Sequence, residues 1–361
     1  VVSSLGDFAN IFQHAFGIQG VVPNNEAIVS VAQKSFGKEM AMIMFFAMVI
    51  NIMIARFTPW KFIFLTGHHT LFMSMMVAVI LATAGMTGIT LIAVGSLVVG
   101  VAMVFFPAIA HPYMKKVTGS DDFAIGHFST LSYVLAGFIG SKFGNKEHST
   151  EDMNVPKSLL FLRDTPVAIS FTMSIIFLVT CLFAGADAVK ELSGGKNWFM
   201  FSIMQSITFA AGVYIILQGV RMVIAEIVPA FKGISDKLVP NARPALDCPV
   251  VFPYAPNAVL VGFLSSFAAG LIGMFTLYLL NMIVIIPGVV PHFFVGAAAV
   301  VFGNATGGRR GAILGAFAQG LLITFLPVFL LPVLGDIGFA NTTFSDADFG
   351  ALGILLGIIV R

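Results

Sequence analysis

The sequence predicts an all-α polytopic membrane protein of roughly eight to ten transmembrane segments with additional re-entrant hairpins, and three observations carry that prediction. Of 361 residues, 58% are hydrophobic and only 10% are charged, with a mean hydropathy of +0.97. A soluble domain is about a quarter charged, so this chain cannot cover itself with polar surface in water. Apolar runs close to the ~20 residues a helix needs to cross a hydrocarbon core recur along its length. Between them stand shorter segments broken by glycine, proline and histidine.

Residues 40–55 form the first long run, fenced by Lys38 and Arg56. The run 62–84 follows, its first half interrupted by Gly67, His68, His69 and Thr70. Runs 89–110, 166–185 and 198–220 come next, the last with Gln205 and Gln218 inside it, and 259–280, 283–301 and 312–334 complete the set. Segment 122–144 carries Gly126, His127 and Phe128 ahead of a moderately apolar stretch. Segment 242–256 holds Pro244, Pro249, Pro253 and Pro256, each of which removes a donor and clashes with the preceding turn, so no regular helix spans it. Yet Val250, Val251 and Phe252 are too apolar for a solvent loop. Non-helical backbone at membrane depth is tolerated only where protein buries it or it lines a cavity. Both segments therefore read as re-entrant hairpins.

The chain, 1–361, reads as a single membrane domain with polar loops only at about 111–124 and 142–165. Residues 351–360 end at Arg361 too soon for a full span, and Val1 stands where a Met would start, so a fragment is expected. The quartet Gly20–Pro23 recurs at 288–291 and the triplet 143–145 at 302–304, a hint of internal duplication.

A net charge of +2 gives no basic field for nucleic acid. Cys181 and Cys248 lack metal-ligand spacing and read as free thiols. No phosphate-binding glycine loop, dinucleotide fingerprint or zinc helix is present, and no metal or cofactor is expected. Gly307 to Gly311 surround Arg309 and Arg310, which read as membrane-edge anchors. Arg221 with Glu226 reads as an interfacial pair, and Lys232, Lys237 and Arg243 as a headgroup face.

An ionisable side chain inside a membrane is costly and marks a functional site by default. By that rule His68 or His69 faces a polar cavity; adjacent helical residues point about 100° apart, so only one of them is expected to do so. His127 and Asp247 are candidates for the same reason. Asp247 either caps a short helix or accepts hydroxyl hydrogen bonds from a ligand, and the two roles are compatible. Asn25 and Glu26, after Pro23, fit a capping turn equally well. The combination marks a transporter rather than a soluble enzyme.

Several stretches together carry a resemblance: 65–69, Gly126 with His127, 218–226, 231–235, 238–242, Asp247 with Cys248, 255–259 and 286–294. The chain resembles, across essentially its whole length, the membrane-embedded IIC component of the ascorbate-specific branch of the bacterial phosphoenolpyruvate-dependent phosphotransferase system. That resemblance implies a multi-pass homodimer of the bacterial inner membrane, with a scaffold and a mobile core moving by an elevator-like displacement. It implies translocation of L-ascorbate, whose hydroxyl receives a phosphoryl group from a phosphocysteine on a separate IIB protein. Against the family, the resemblance implies that about two N-terminal helices are missing from the chain, in line with the expected fragment. The family's ligand residues fall here on His68, His127, Asp247, Asn25 and Glu26, with His69 adjoining. Phe72 and Phe128 stand where family members carry glutamines, and Asn25 and Glu26 replace a threonine and a tyrosine. Losing two amides removes about 1 kcal/mol of net hydrogen bonding each. Either ascorbate binds through other groups, or the ligand is another small acid or polyol. An ion-coupled secondary transporter using the same residues is the rival reading. A membrane-embedded enzyme with His127 and Asp247 as acid and base is less well supported, for want of a nucleophile.

Overall fold

The computed structural model describes residues 2–17, 20–23, 25–152, 165–237, 239–335 and 342–360. The side chains of Glu26, Arg221, Glu226 and Lys232 lie outside the described residues.

Helices dominate. In order they are α1 (Val2–Phe16), α2 (Asn25–Phe57), α3 (Gly67–Thr83), α4 (Gly88–Thr118), α5 (Thr130–Phe143), α6 (Thr165–Ala184), α7 (Ala186–Leu192), α8 (Trp198–Lys237), α9 (Ala258–Leu279), α10 (Val289–Leu334) and α11 (Ala347–Val360). Among the described residues, five are long and apolar enough to cross a membrane, or six if α6 and α7, bent by 109° at their junction, form one span. The helix α10 is itself interrupted at Gly307 and Gly308, where Gly308 takes φ +57°. Counting its two parts and the shorter apolar helices α3 and α11 brings the inventory into the range read from the sequence.

Among the described residues, five short strands interrupt the helices: β1 (Val22–Pro23), β2 (Phe62–Phe64), β3 (Ala124–Ile125), β4 (Arg243–Leu246) and β5 (Thr342–Thr343). All their pairings are parallel. One sheet has the order β2-β4-β3, with Ile63 opposite Pro244 and Ile125 opposite Leu246. In the other, β1 pairs with β5, and Val21 bridges to Ile285 on its far side. Pro244 is tolerated in a central strand because it precedes the first β3 pair, Ala124 with Ala245, so its missing N–H costs no ladder bond. The outer edge of β2 is closed by a side chain. Asn51 of α2 donates to the Phe62 carbonyl at 2.9 Å and accepts from the Phe64 N–H at 3.0 Å. Unsatisfied backbone is costly at membrane depth, which accounts for an asparagine inside an apolar helix.

The pairings expose a repeat. Strands β1, β2 and β3, with α2 to α5 between and after them, are followed by β4, the 284–286 segment and β5, with α9 to α11 in corresponding places. In each sheet the central strand is the first strand of the other half. The Gly20–Pro23 and 288–291 quartets do not correspond in this repeat: the first enters β1, the second opens α10.

Two features differ from the sequence reading. Residues 111–118, assigned there to a loop, continue α4. Lys115 and Lys116 in the last turn complement the helix C-terminus, and the loop shrinks to the residues before β3. Arg309, read as a membrane-edge anchor, also has partners within the protein. Its backbone N–H donates to the His148 carbonyl at 2.7 Å and its Nε to the Ser149 carbonyl at 3.0 Å, tying the polar loop to the break in α10.

Candidate functional site

The three parallel strands of the first sheet each end in a residue that the sequence singled out. From β2 the chain runs through Thr66 to His68 and His69 at the start of α3; from β3 through Gly126 to His127; from β4 straight to Asp247. Thr66 fastens two of these ends, its hydroxyl donating to the Gly126 carbonyl at 2.5 Å. Gly126 is required there: a Cβ would stand 2.5 Å from the Ala245 carbonyl oxygen.

These ends converge on a cavity of about 420 Å³. His68 Nε2 lies 3.6 Å from Asp247 Oδ2, and His127 Nε2 lies 3.9 Å from Asp247 Oδ1. Asp247 also caps the 3-10 turn Cys248–Tyr254, accepting from the Cys248 N–H at 2.7 Å, so the capping and facing roles coexist. The Tyr133 hydroxyl lies 2.9 Å from His127 Nδ1. With that hydroxyl donating to Nδ1, Nε2 carries the ring proton and presents it to the cavity.

Both His68 and His69 line the cavity, not one of the pair. They sit at the first turn of α3, where neighbouring residues reach past the helix end together. Their surroundings differ. His68 is half-exposed. His69 is buried beneath it, its ring centroid 3.9 Å from that of His127 and stacked on Phe349 at 5.7 Å, and its Nδ1 accepts from the Phe128 N–H at 3.4 Å. His69 supports the wall more than it opens onto it.

Phe72 lines the cavity, whereas Phe128 is fully buried behind it, stacked on Phe64 at 4.6 Å and edge-on to Phe106. Successive residues of an extended segment point to opposite faces, so with His127 facing in, Phe128 faces out. Its backbone is what serves the site. The Phe128 carbonyl accepts from the Asp348 N–H at 3.1 Å, while the Asp348 carboxylate accepts from the Thr130 and Leu131 N–H groups at 2.8 and 2.9 Å. A carboxylate from α11 thus caps α5.

Asn25 also lines the cavity, but through partners that the sequence reading missed. Its Nδ2 donates to Asp346 Oδ2 at 2.9 Å, and its Oδ1 accepts from the Ser345 N–H at 3.1 Å. The Ser345 hydroxyl donates to Asp346 Oδ2 at 2.9 Å. Asp346 Oδ1 lies 4.0 Å from His127 Nε2. Two aspartates, Asp346 and Asp348, just ahead of the apolar 351–360 stretch were a legible signal of this second wall. The Glu26 side chain lies outside the described residues.

Compared with known proteins, the chain matches the family described as PTS system sugar-specific permease component over residues 1–348. The chain belongs to that family. It is also 30% identical over 265 residues to a Mycoplasma pneumoniae protein named as an ascorbate-specific PTS system EIIC component, an alignment covering 64% of this chain and 38% of the relative. The chain thus spans well under half the length of that curated relative. Family and helices together make this a multi-pass permease component of the membrane, in bacteria the inner membrane. The cavity also brings together two sets of residues of metal-ligating type, His68, His69 and Asp247, and His127, Asp247 and Cys248, each set with its donor atoms within 4.8 Å of one another. Chain spacing gave no sign of the second set, because parallel strands bring His127 beside Cys248 across more than a hundred residues.

Proposed function

We propose that this permease translocates L-ascorbate, or a closely related small acid, and presents it for phosphorylation by a phosphocysteine on a separate IIB protein. The observation that carries this reading is the convergence of His68, His127 and Asp247 on one small cavity. The name of the Mycoplasma pneumoniae relative supports the substrate. Ascorbate is a monoanion at neutral pH, and His68 with His127 donates to its oxygens. Asp247 accepts from a side-chain hydroxyl and turns its oxygen toward the incoming phosphorus. As the O–P bond forms and the S–P bond breaks, the hydroxyl proton passes to the Asp247 carboxylate and the cysteine leaves as thiolate on IIB. Positioning supplies most of the rate, as in phosphoryl transfer generally.

In the same proposal the chain is one membrane domain of a homodimer, and the cavity is carried across the membrane by an elevator-like displacement of a core against a scaffold. The residue that bears most on substrate identity is Phe72, apolar in the cavity wall where family members place an amide.

The test is uptake of labelled ascorbate by cells carrying the full-length gene, with and without its IIB partner. A phosphorylated product formed only with the partner is expected. Uptake of unmodified ascorbate without IIB overturns the reading in favour of a secondary transporter. No uptake in either condition overturns the substrate and directs attention to neutral polyols.

A further inference from the structure

The cavity has a second polar wall that the proposed chemistry does not use. It is built by the other sheet, in which β1 leads to Asn25 and β5 to Ser345 and Asp346. Asp346 is almost fully buried, and its orientation is fixed: Asn25 and Ser345 both donate to Oδ2 at 2.9 Å. That arrangement turns Oδ1 toward His127 Nε2, 4.0 Å away, while Asp247 Oδ1 approaches the same nitrogen from the first wall at 3.9 Å. Both separations are too long for a direct hydrogen bond. They match what one hydroxyl spans when it bonds two groups at once, since two bonds of about 2.8 Å meeting near a right angle reach about 4.0 Å. A single imidazole N–H therefore stands between two carboxylates, each one hydroxyl away from it.

We propose that Asn25, Ser345 and Asp346 form a second hydroxyl-binding subsite, and that Asp247 and Asp346 together hold two adjacent hydroxyls of the substrate, one on each side of His127. Resting on the permease reading, this assigns the two ends of the ligand. The charged ring of a sugar acid lies on half-exposed His68, at the Asp247 end of the site, and a neutral diol tail lies between the two carboxylates. Asp247 takes the hydroxyl to be phosphorylated and Asp346 its neighbour. Asp346 is then a positioning and specificity residue: it admits a vicinal diol and repels a second anionic group at that end of the cavity.

The experiment is a cycle between side chain and ligand. Binding of L-ascorbate, and of its analogue lacking the secondary side-chain hydroxyl, is measured on purified full-length wild type and on Asp346→Asn. Wild type is expected to bind the analogue about ten- to a hundredfold more weakly than ascorbate. Asp346→Asn is expected to lower ascorbate binding to the analogue's level while leaving the analogue's affinity within about twofold. Equal loss for both ligands, or loss for neither, overturns the subsite. If Asp346→Asn does not reach the membrane, Ser345→Ala, which keeps the carboxylate and its Asn25 bond, takes its place with an expected loss of a few-fold confined to ascorbate. If ascorbate does not bind wild type, the cycle is run with galactitol and a deoxy form of it. A hydroxyl-dependent cycle there sinks the ascorbate reading and keeps the subsite, whereas a wild type that binds neither diol overturns the subsite as well.

Discussion

The two strand clusters share one construction and present different chemistry. Each places a short central strand between two strands of the other half, all parallel, and each delivers its functional residues where the strands end. The first presents ionisable groups that a membrane would otherwise exclude: His68, His69, His127 and Asp247. The second presents Asn25, Ser345 and Asp346, of which only the last is charged, beside the apolar Val289, Val290 and Pro291. One construction thus carries imidazoles and a carboxylate on one side, and an amide, a hydroxyl and a carboxylate on the other. The difference teaches that backbone pairing sets where a side chain arrives, while the residue after the strand decides what it does there.

The sharpest way to break the comparison is at its reactive side. Asp247→Asn is expected to lower formation of phosphorylated product in the presence of IIB by about a hundredfold, since it removes a charge-assisted bond to the acceptor hydroxyl and its orientation. The corresponding change on the other wall, at Asp346, is expected to act on affinity. Equal effects of the two changes on turnover would erase the division of labour.

A second contrast tests the shared construction. A Cβ at Gly126 would meet the Ala245 carbonyl oxygen at 2.5 Å, and one at Gly20 would meet the Val284 carbonyl oxygen at 2.6 Å, so both clusters have a glycine pressed on a neighbouring strand. Gly126→Ala and Gly20→Ala are each expected to destabilise the protein by about 1–3 kcal/mol. At Gly67 a Cβ would meet nothing within 4 Å, and Gly67→Ala is expected to fall within about 0.5 kcal/mol. Thermal unfolding of the detergent-solubilised protein, followed by light scattering, ranks the three. A neutral Gly126→Ala would mean that the strand ends can part without harm.

Two phenylalanines separate contact with ligand from support. Phe72→Gln, at a buried position that also lines the cavity, is expected to cost less stability than the same change at Phe128 and to alter the ratio of ascorbate to polyol binding. Phe128→Gln buries an amide among Phe64, Phe106 and Phe349 and is expected to cost about 1–3 kcal/mol without altering that ratio. Competition binding with the two ligands reads both.

The smallest effect lies at the opposite end of the first sheet. There burial raises the Asp121 carboxyl, but hydrogen bonds from Lys115, His111 and Arg243 outweigh it and hold the group well below the usual carboxylate range. A depressed carboxyl contributes stability that is complete above its unfolded value of about 3.8 and is lost as pH falls below it. Unfolding temperature is thus expected to fall below about pH 4 in wild type and less steeply in Asp121→Asn. Parallel pH curves would remove Asp121 from the account.

Much of the first cluster was legible because its residues are costly in a membrane. A histidine beside a glycine, or an aspartate among four prolines, stands out against an apolar background, and both stretches also carried the family resemblance. The second cluster was less legible. Asparagine and serine cost little, and the aspartates at 346 and 348 adjoin the start of a run that is too short for a full span. The orientation of Phe128 needed the alternation of an extended segment, which two residues of strand are too short to announce. Asn51 looked like any polar residue in a span until the edge of β2 gave it partners. The repeat was sought in matching letters at 20–23 and 288–291, but it lies in the order of elements, which sequence identity does not preserve.

The exchange of central strands has a consequence for how the molecule is made. The first sheet closes only when β4, about 180 residues after β2, has left the ribosome, and the second only when β5, some 320 residues after β1, has followed. Contacts of such long sequence separation form late and slowly. Until then Asn51 can close one edge of β2, but the edge that β4 covers has no neighbouring strand, and the histidines have no cavity to face. The nascent first half therefore carries open strand edges until the second half arrives, which completes the first cluster with β4 and the second with β5.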